Sequence, residues 1–196
     1  DQPADLGVQD LVVITVKGPA LPALAPTLAP LIGPHTLVLP AMNGVPWWFL
    51  QAGAPGTAAR RLASIDPDGH IEASIPLARV LGCVVHASIA TSEPGLAAHR
   101  MGQGLSVGEP AGGLSERVQR VVALLADAGF DATASANIRQ DIWYKLWGNL
   151  TVNPVTAITG ATTDRVLDDP LVRAFCSAAM REAAAIGERL GCAIAQ

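Results

Sequence analysis

The sequence predicts an α/β layer with a mostly parallel sheet, followed from about residue 136 by helices alone. Three observations carry this. Short apolar, β-branched runs at 11–17 (LVVITVK), 35–44 (HTLVLPAMNG) and 82–89 (GCVVHASI) have the length and unbroken apolar character of strands buried on both faces. An amphipathic segment at 114–130 (LSERVQRVVALLADAGF) precedes one last strand-like run, DATAS at 131–135. After Ala136 only helical signals follow.

The elements can be justified in order. The first strand ends at Lys17, and the second runs into a loop at Asn43-Gly44. A crossover belongs between them, and Leu24, Leu28, Leu31 and Ile32 have helical spacing. Pro22, Pro26 and Pro30 forbid a regular helix beyond its first turn, because each removes a donor and crowds the preceding turn. DPDG (66–69) marks a turn before the third strand. GLAAHRMGQGLSVGE (95–109) reads as a hairpin turned at Met101–Gly104. In the segment 114–130, Ser115 is placed to cap a helix, Val118, Val121, Val122, Leu124 and Leu125 to face inward, and Gly129 to end it. NIRQDIWYKLWGNLTVN (137–153) is helical, with Asn137 as a candidate cap and Pro154 as a disturbance. In DDPLVRAFCSAAMREAAAIGERLG (168–191), Asp169 is the N-cap, Pro170 the first helical residue and Gly191 the stop.

Composition narrows the function. Half the residues are hydrophobic and 15% are charged, which allows a large core. The net charge of −4 and the lack of a basic patch argue against nucleic acid. Residues 18–59 carry no charged side chain, yet Pro19, Pro22, Pro26, Pro30, Pro34 and Pro40 break the roughly 20 continuous apolar residues that a membrane span needs. No membrane association is expected, and no signal peptide is visible. Cys83, Cys176 and Cys192 form no C-x-x-C pair and read as small buried apolar residues in a reducing, cytoplasmic setting. His35, His70, His86 and His99 fit no metal spacing, so no metal is expected. Both ends read as internal to a longer chain, and a positive mean hydropathy is consistent with a homodimer.

Ligands of open α/β sheets bind at the carboxyl ends of the strands. Lys17, Asn43 and Gly44 fall there, with His86 and Ser88 in the third strand. Lys145, Asn149 and Asn153 recur every four residues, which places them on one helix face among tryptophans and aliphatics. Each has a plainer reading: a solvated strand end for Lys17, a common turn pair for Asn43-Gly44, a snorkelling Lys145, buried structural amides for Asn149 and Asn153. No Ser-His-Asp or Cys-His arrangement and no paired carboxylates are evident, so hydrolysis has little support. A lysine among apolar groups can donate a proton to an oxygen on which charge develops, and amides can hold a hydroxyl or carbonyl without adding charge. The set suits reduction of a small keto acid by hydride from a nicotinamide.

LVVITVKG (11–18), LPAMNGV (39–45), GCVVHASI (82–89), EPGLAAHRMGQGLSVGE (93–109) and, most specifically, NIRQDIWYKLWGNLTVNPVTAI (137–158) resemble the ketopantoate reductases (2-dehydropantoate 2-reductases) and follow that family's order. The resemblance implies a Rossmann-type NADP-binding domain, of which 1–136 would be the C-terminal part, and a helical substrate and dimerisation domain starting at 137–196. It implies NADPH-dependent reduction of ketopantoate to pantoate, a step of pantothenate and coenzyme A biosynthesis. Lys145 would be the general acid, Asn149 and Asn153 would hold the substrate, Asn43 would lie between nicotinamide and substrate, and Lys17 would line the cofactor side.

The departures are specific. The family's G-x-G-x-x-G pyrophosphate cradle has no counterpart in these residues, since Gly102 and Gly104 do not open a helix. A basic residue for the NADP 2′-phosphate and the family's later acidic substrate partner are likewise not here. Trp47 and Trp48, near Asn43, suggest an alternative 2-keto acid, and the missing cradle suggests a non-catalytic binding or dimerisation module.

Overall fold

The computed structural model describes residues 2–53 and 58–194. The chain divides into two compact units, Asp1–Arg139 and Gln140–Gln196.

In the first unit, β1 (Leu11–Ile14) pairs in parallel with β2 (Leu37–Pro40), from Leu11 opposite Leu37 to Ile14 opposite Pro40. The crossover obeys its prolines. It runs as a 3-10 turn at Gly18–Ala20, a single α-turn, α1 (Leu21–Leu24), and a further 3-10 stretch at Ala25–Leu31. Its buried face is Leu21, Ala25, Leu28 and Leu31, whereas Leu24 and Ile32 are only half-buried. The buried Thr36 hydroxyl closes the crossover: it accepts from Gly33 N at 2.8 Å and donates to Gln9 O at 2.6 Å.

A short helix, α2 (His70–Ser74), follows the DPDG turn. The sheet then continues through a parallel bridge between Val38 and Val80 and the bond from Leu81 N to Val38 O at 3.0 Å. β3 (Gly82–Glu93) and β4 (Leu96–Gly108) form a long antiparallel ribbon, and β5 (Asp131–Ser135) pairs in parallel with the last residues of β4. Among the described residues, β1–β2 and β4–β5 pair in parallel and β3–β4 antiparallel, a mostly parallel arrangement consistent with a Rossmann-type α/β sheet.

The hairpin is placed differently from the sequence expectation. It turns at Pro94-Gly95, not at Met101–Gly104. Gly102 lies within β4, where the register slips between His86 and Ser88. Its φ is +77°, and a Cβ there would collide with the His86 carbonyl oxygen. The glycine serves a bulge, which mimics a turn signal in sequence.

α3 (Glu116–Asp127) is capped by Ser115, whose Oγ accepts from Val118 N at 3.2 Å. Val118 and Val121 join Leu39, Leu81, Cys83, Leu105 and Val107 in one buried cluster, and Val122 and Leu125 pack at its margin. Leu124 does not face inward; it is 55% exposed. At the start of α3, Arg117 donates through Nε to Glu109 Oε1 at 2.7 Å and through a second nitrogen to Oε2, and Ser115 donates to Oε1. Arg117 also reaches the Ala78 carbonyl, tying the helix to the chain ahead of β3. The Arg117 hydrogen bonds hold the Glu109 carboxyl below the usual carboxylate range, against partial burial, which acts the other way.

α4 (Ile138–Thr159) begins at the end of the first unit and supplies the first helix of the second. It continues through Pro154, which removes one donor from a 22-residue helix without ending it. α5 (Thr163–Asp168), which the sequence did not suggest, precedes α6 (Pro170–Arg189). Asp169 caps α6 by accepting from Leu171 N at 2.9 Å and Val172 N at 3.0 Å. Two indoles of α4 bond to carbonyls of α6: Trp143 to Ala183 at 3.2 Å and Trp147 to Met180 at 2.7 Å. A Cβ on Gly187 would collide with the Trp143 ring, so the absence of a side chain there lets α6 approach it. All three cysteines are buried and none is in a disulfide, as their apolar reading anticipated.

Candidate functional site

In the first unit, the exits of β1 and β2 are locked side by side by the bond from Ala41 N to Ile14 O at 2.9 Å. Lys17 follows β1 on the surface, and its carbonyl accepts from Ala20 N at 2.9 Å to open the first crossover turn. Asn43 follows β2 in an exposed bend with Gly44. Lys17 and Asn43 thus lie on neighbouring loops at the carboxyl edge of two parallel strands, where α/β sheets bind ligands. His86 and Ser88 are exposed residues of the β3–β4 ribbon.

Behind Asn43 the loop turns into the core. Trp47, Trp48 and Phe49 are each 1% exposed. A Cβ on Gly82 would collide with both Trp48 and Ile138, so the indole sits where the start of β3 has made room for it. The two tryptophans are packing residues of this unit, which corrects the expectation that they shape a substrate pocket beside Asn43. Arg139, which the sequence reading passed over, is 7% exposed. It donates to Phe49 O at 3.0 Å and Gly53 O at 3.3 Å, with its guanidinium carbon 4.8 Å from the Phe49 ring centre. An arginine at the second position of a helix, between the apolar Ile138 and Ile142, was the signal available in sequence.

In the second unit, Lys145, Asn149 and Asn153 all fall within α4, and their spacing puts them in one stripe. Lys145 is half-buried, and Asn149 and Asn153 are exposed. A half-buried ammonium beside neutral amides can bind a carboxylate or give a proton to a carbonyl oxygen.

A crevice of about 590 Å³ lies at the opposite, amino edge of β1 and β2, lined by Asp10, His35, Arg79 and Arg120 among others. Its position separates it from the carboxyl edge that carries Lys17 and Asn43. Among the described residues, no group of three or more His, Cys, Asp or Glu side chains is placed to hold a metal ion, and no helix is long and apolar enough to cross a membrane. Lys17 and Asn43 offer an ammonium and an amide at that edge, groups able to hydrogen-bond a polar ligand. The Gly18-Pro19 turn after β1 is not a glycine-rich cradle, so these residues do not account for pyrophosphate binding.

The family profile "Ketopantoate reductase PanE/ApbA" matches residues 1–112, and "Ketopantoate reductase PanE/ApbA C terminal" matches residues 137–196. The chain belongs to the ketopantoate reductase family. A 2-dehydropantoate 2-reductase of Mesorhizobium japonicum is 42% identical over 95% of this chain and 57% of its own length. A candidate ketopantoate reductase from Ralstonia solanacearum MolK2 superposes with a TM-score of 0.95 at 55% identity, over 100% of this chain and 60% of that one. A dimeric ketopantoate reductase from Staphylococcus aureus, at 23% identity and a TM-score of 0.74 over 96% of this chain and 60% of that one, shares the fold. The chain therefore spans somewhat more than half the length of the relatives it matches.

Proposed function

We propose that the protein carrying this chain reduces ketopantoate to pantoate with NADPH, as a cytoplasmic enzyme of pantothenate and coenzyme A biosynthesis. The observation that carries the reading is the Lys145–Asn149–Asn153 stripe on α4, inside the segment matched by the family's C-terminal profile. On this reading residues 1–136 are the C-terminal part of the NADP-binding domain, and 137–196 begin the helical domain that binds substrate and forms a homodimer.

The reduced nicotinamide, when bound, supplies the hydride to the keto carbon. The chain's residues do the rest. The Lys145 ammonium donates a proton to the carbonyl oxygen as negative charge develops there, so the ketone gains one hydride and one proton and becomes the alcohol. Asn149 and Asn153 hold the substrate's polar groups without adding charge. Asn43 lies between nicotinamide and substrate and orients both, and Lys17 lines the cofactor side.

The test is a panel of 2-keto acids given to the full-length protein with NADPH and with NADH. Ketopantoate with NADPH is expected to have the highest kcat/KM. A strong preference for another acid would contradict the substrate assignment, and the burial of Trp47 and Trp48 removes the residue-level argument for one.

A further inference from the structure

Asp66 and Arg139 are the buried charged side chains among the described residues. Asp66 is accounted for by α2, whose Ile71 and Glu72 amides donate to its carboxylate at 3.1 and 3.0 Å. Arg139 instead reaches across the sequence to another segment. Burying a guanidinium is costly unless its donors are met. Here two acceptors are carbonyls of a single loop, those of Phe49 and Gly53, and the Phe49 ring covers the guanidinium face.

That loop is the one that presents Asn43. It is fixed at its entry by the Ala41–Ile14 bond. It is fixed at its exit by three buried aromatics, by turn bonds from Phe49 N to Pro46 O at 3.1 Å and from Gln51 N to Trp48 O at 2.9 Å, and by Arg139. Asn43 is exposed between these two anchors. We propose that Arg139 is a positioning residue for the reductase: by clamping the Phe49 and Gly53 carbonyls it sets the loop that holds the Asn43 amide at the reacting groups. The proposal rests on the reading of Asn43 as a site residue. Displacement of a positioning group by about 1 Å can cost on the order of 10²-fold in rate, so a clamp two anchors away is able to act on turnover.

A double-mutant cycle of Arg139→Lys and Asn43→Ala in the full-length protein tests this, with kcat/KM for ketopantoate and the thermal midpoint as readouts. Lysine keeps the charge and loses the planar fork. Arg139→Lys is expected to lower kcat/KM roughly tenfold in the folded enzyme, and the same substitution is expected to have no further effect in the Asn43→Ala background. Multiplying losses, or a normal kcat/KM in Arg139→Lys, would overturn the proposal and leave Arg139 a stability residue. If the lysine variant fails to fold, Phe49→Leu, which uncovers the guanidinium but keeps the carbonyl, goes through the same cycle with the same expectation. A normal kcat/KM in Asn43→Ala has a different meaning: it sinks the reading of Asn43 itself and the proposal with it.

Discussion

At the scale of single residues, the structure separates side chains that pack from those available for chemistry. Trp47, Trp48, Trp143 and Gly187 look alike in sequence to residues that could line a pocket, yet the first three are buried and the last is a point of close helix approach. Gly187→Ala forces a methyl group against the Trp143 ring and threatens the indole's bond to Ala183. It is expected to destabilise the fold by about 1–3 kcal/mol, the usual range for overpacking, measured by denaturant midpoint. The same logic explains why the tryptophan pair at 47–48 misled the sequence reading. Local sequence shows that two indoles adjoin Asn43; only the tertiary fit of Trp48 against Gly82 and Ile138 shows that they point into the core.

At the scale of elements, what was legible depended on whether the signal was local. The caps of α3 and α6 were readable because Ser115 and Asp169 bond to amides two or three residues away. The broken crossover was readable because proline acts within one turn. The β3–β4 turn was misplaced because a bulge glycine and a turn glycine have the same local signature, and pairing across the ribbon decides between them. Leu124 was assigned inward by periodicity, but the face that packs on the core is Val118 and Val121 with Val122 and Leu125 at its margin, and Leu124 lies outside it. The Glu109–Arg117–Ser115 node spans elements and was invisible. Its lowered carboxyl pKa makes a pH prediction. A carboxylate held below its unfolded value contributes stability that is full above that value and is lost as pH falls through the folded pKa. Glu109→Gln is expected to cost about 1 kcal/mol at neutral pH, and the difference from wild type is expected to shrink in acid, below about pH 4. Thermal melts of both proteins across pH check this; a difference independent of pH would assign the loss to packing alone.

At the scale of the molecule, the alternation of strands and helices followed by helices alone carried the fold class, and the family profiles match on either side of the change in character. The candidate site was legible as two sets: Lys17 and Asn43 from the strand-exit rule, and Lys145, Asn149 and Asn153 from helical spacing. Arg139 was not, because its partners lie 90 and 86 residues away. The central claim is that Lys145 delivers the proton in a ketopantoate reduction. The most direct measurement is NADPH oxidation with ketopantoate by the full-length protein and by Lys145→Ala, with NADPH binding measured in parallel. Turnover by the wild type, with kcat lowered on the order of 10²-fold or more in the variant and NADPH affinity little changed, is the expected result. Near-normal turnover by Lys145→Ala would contradict it.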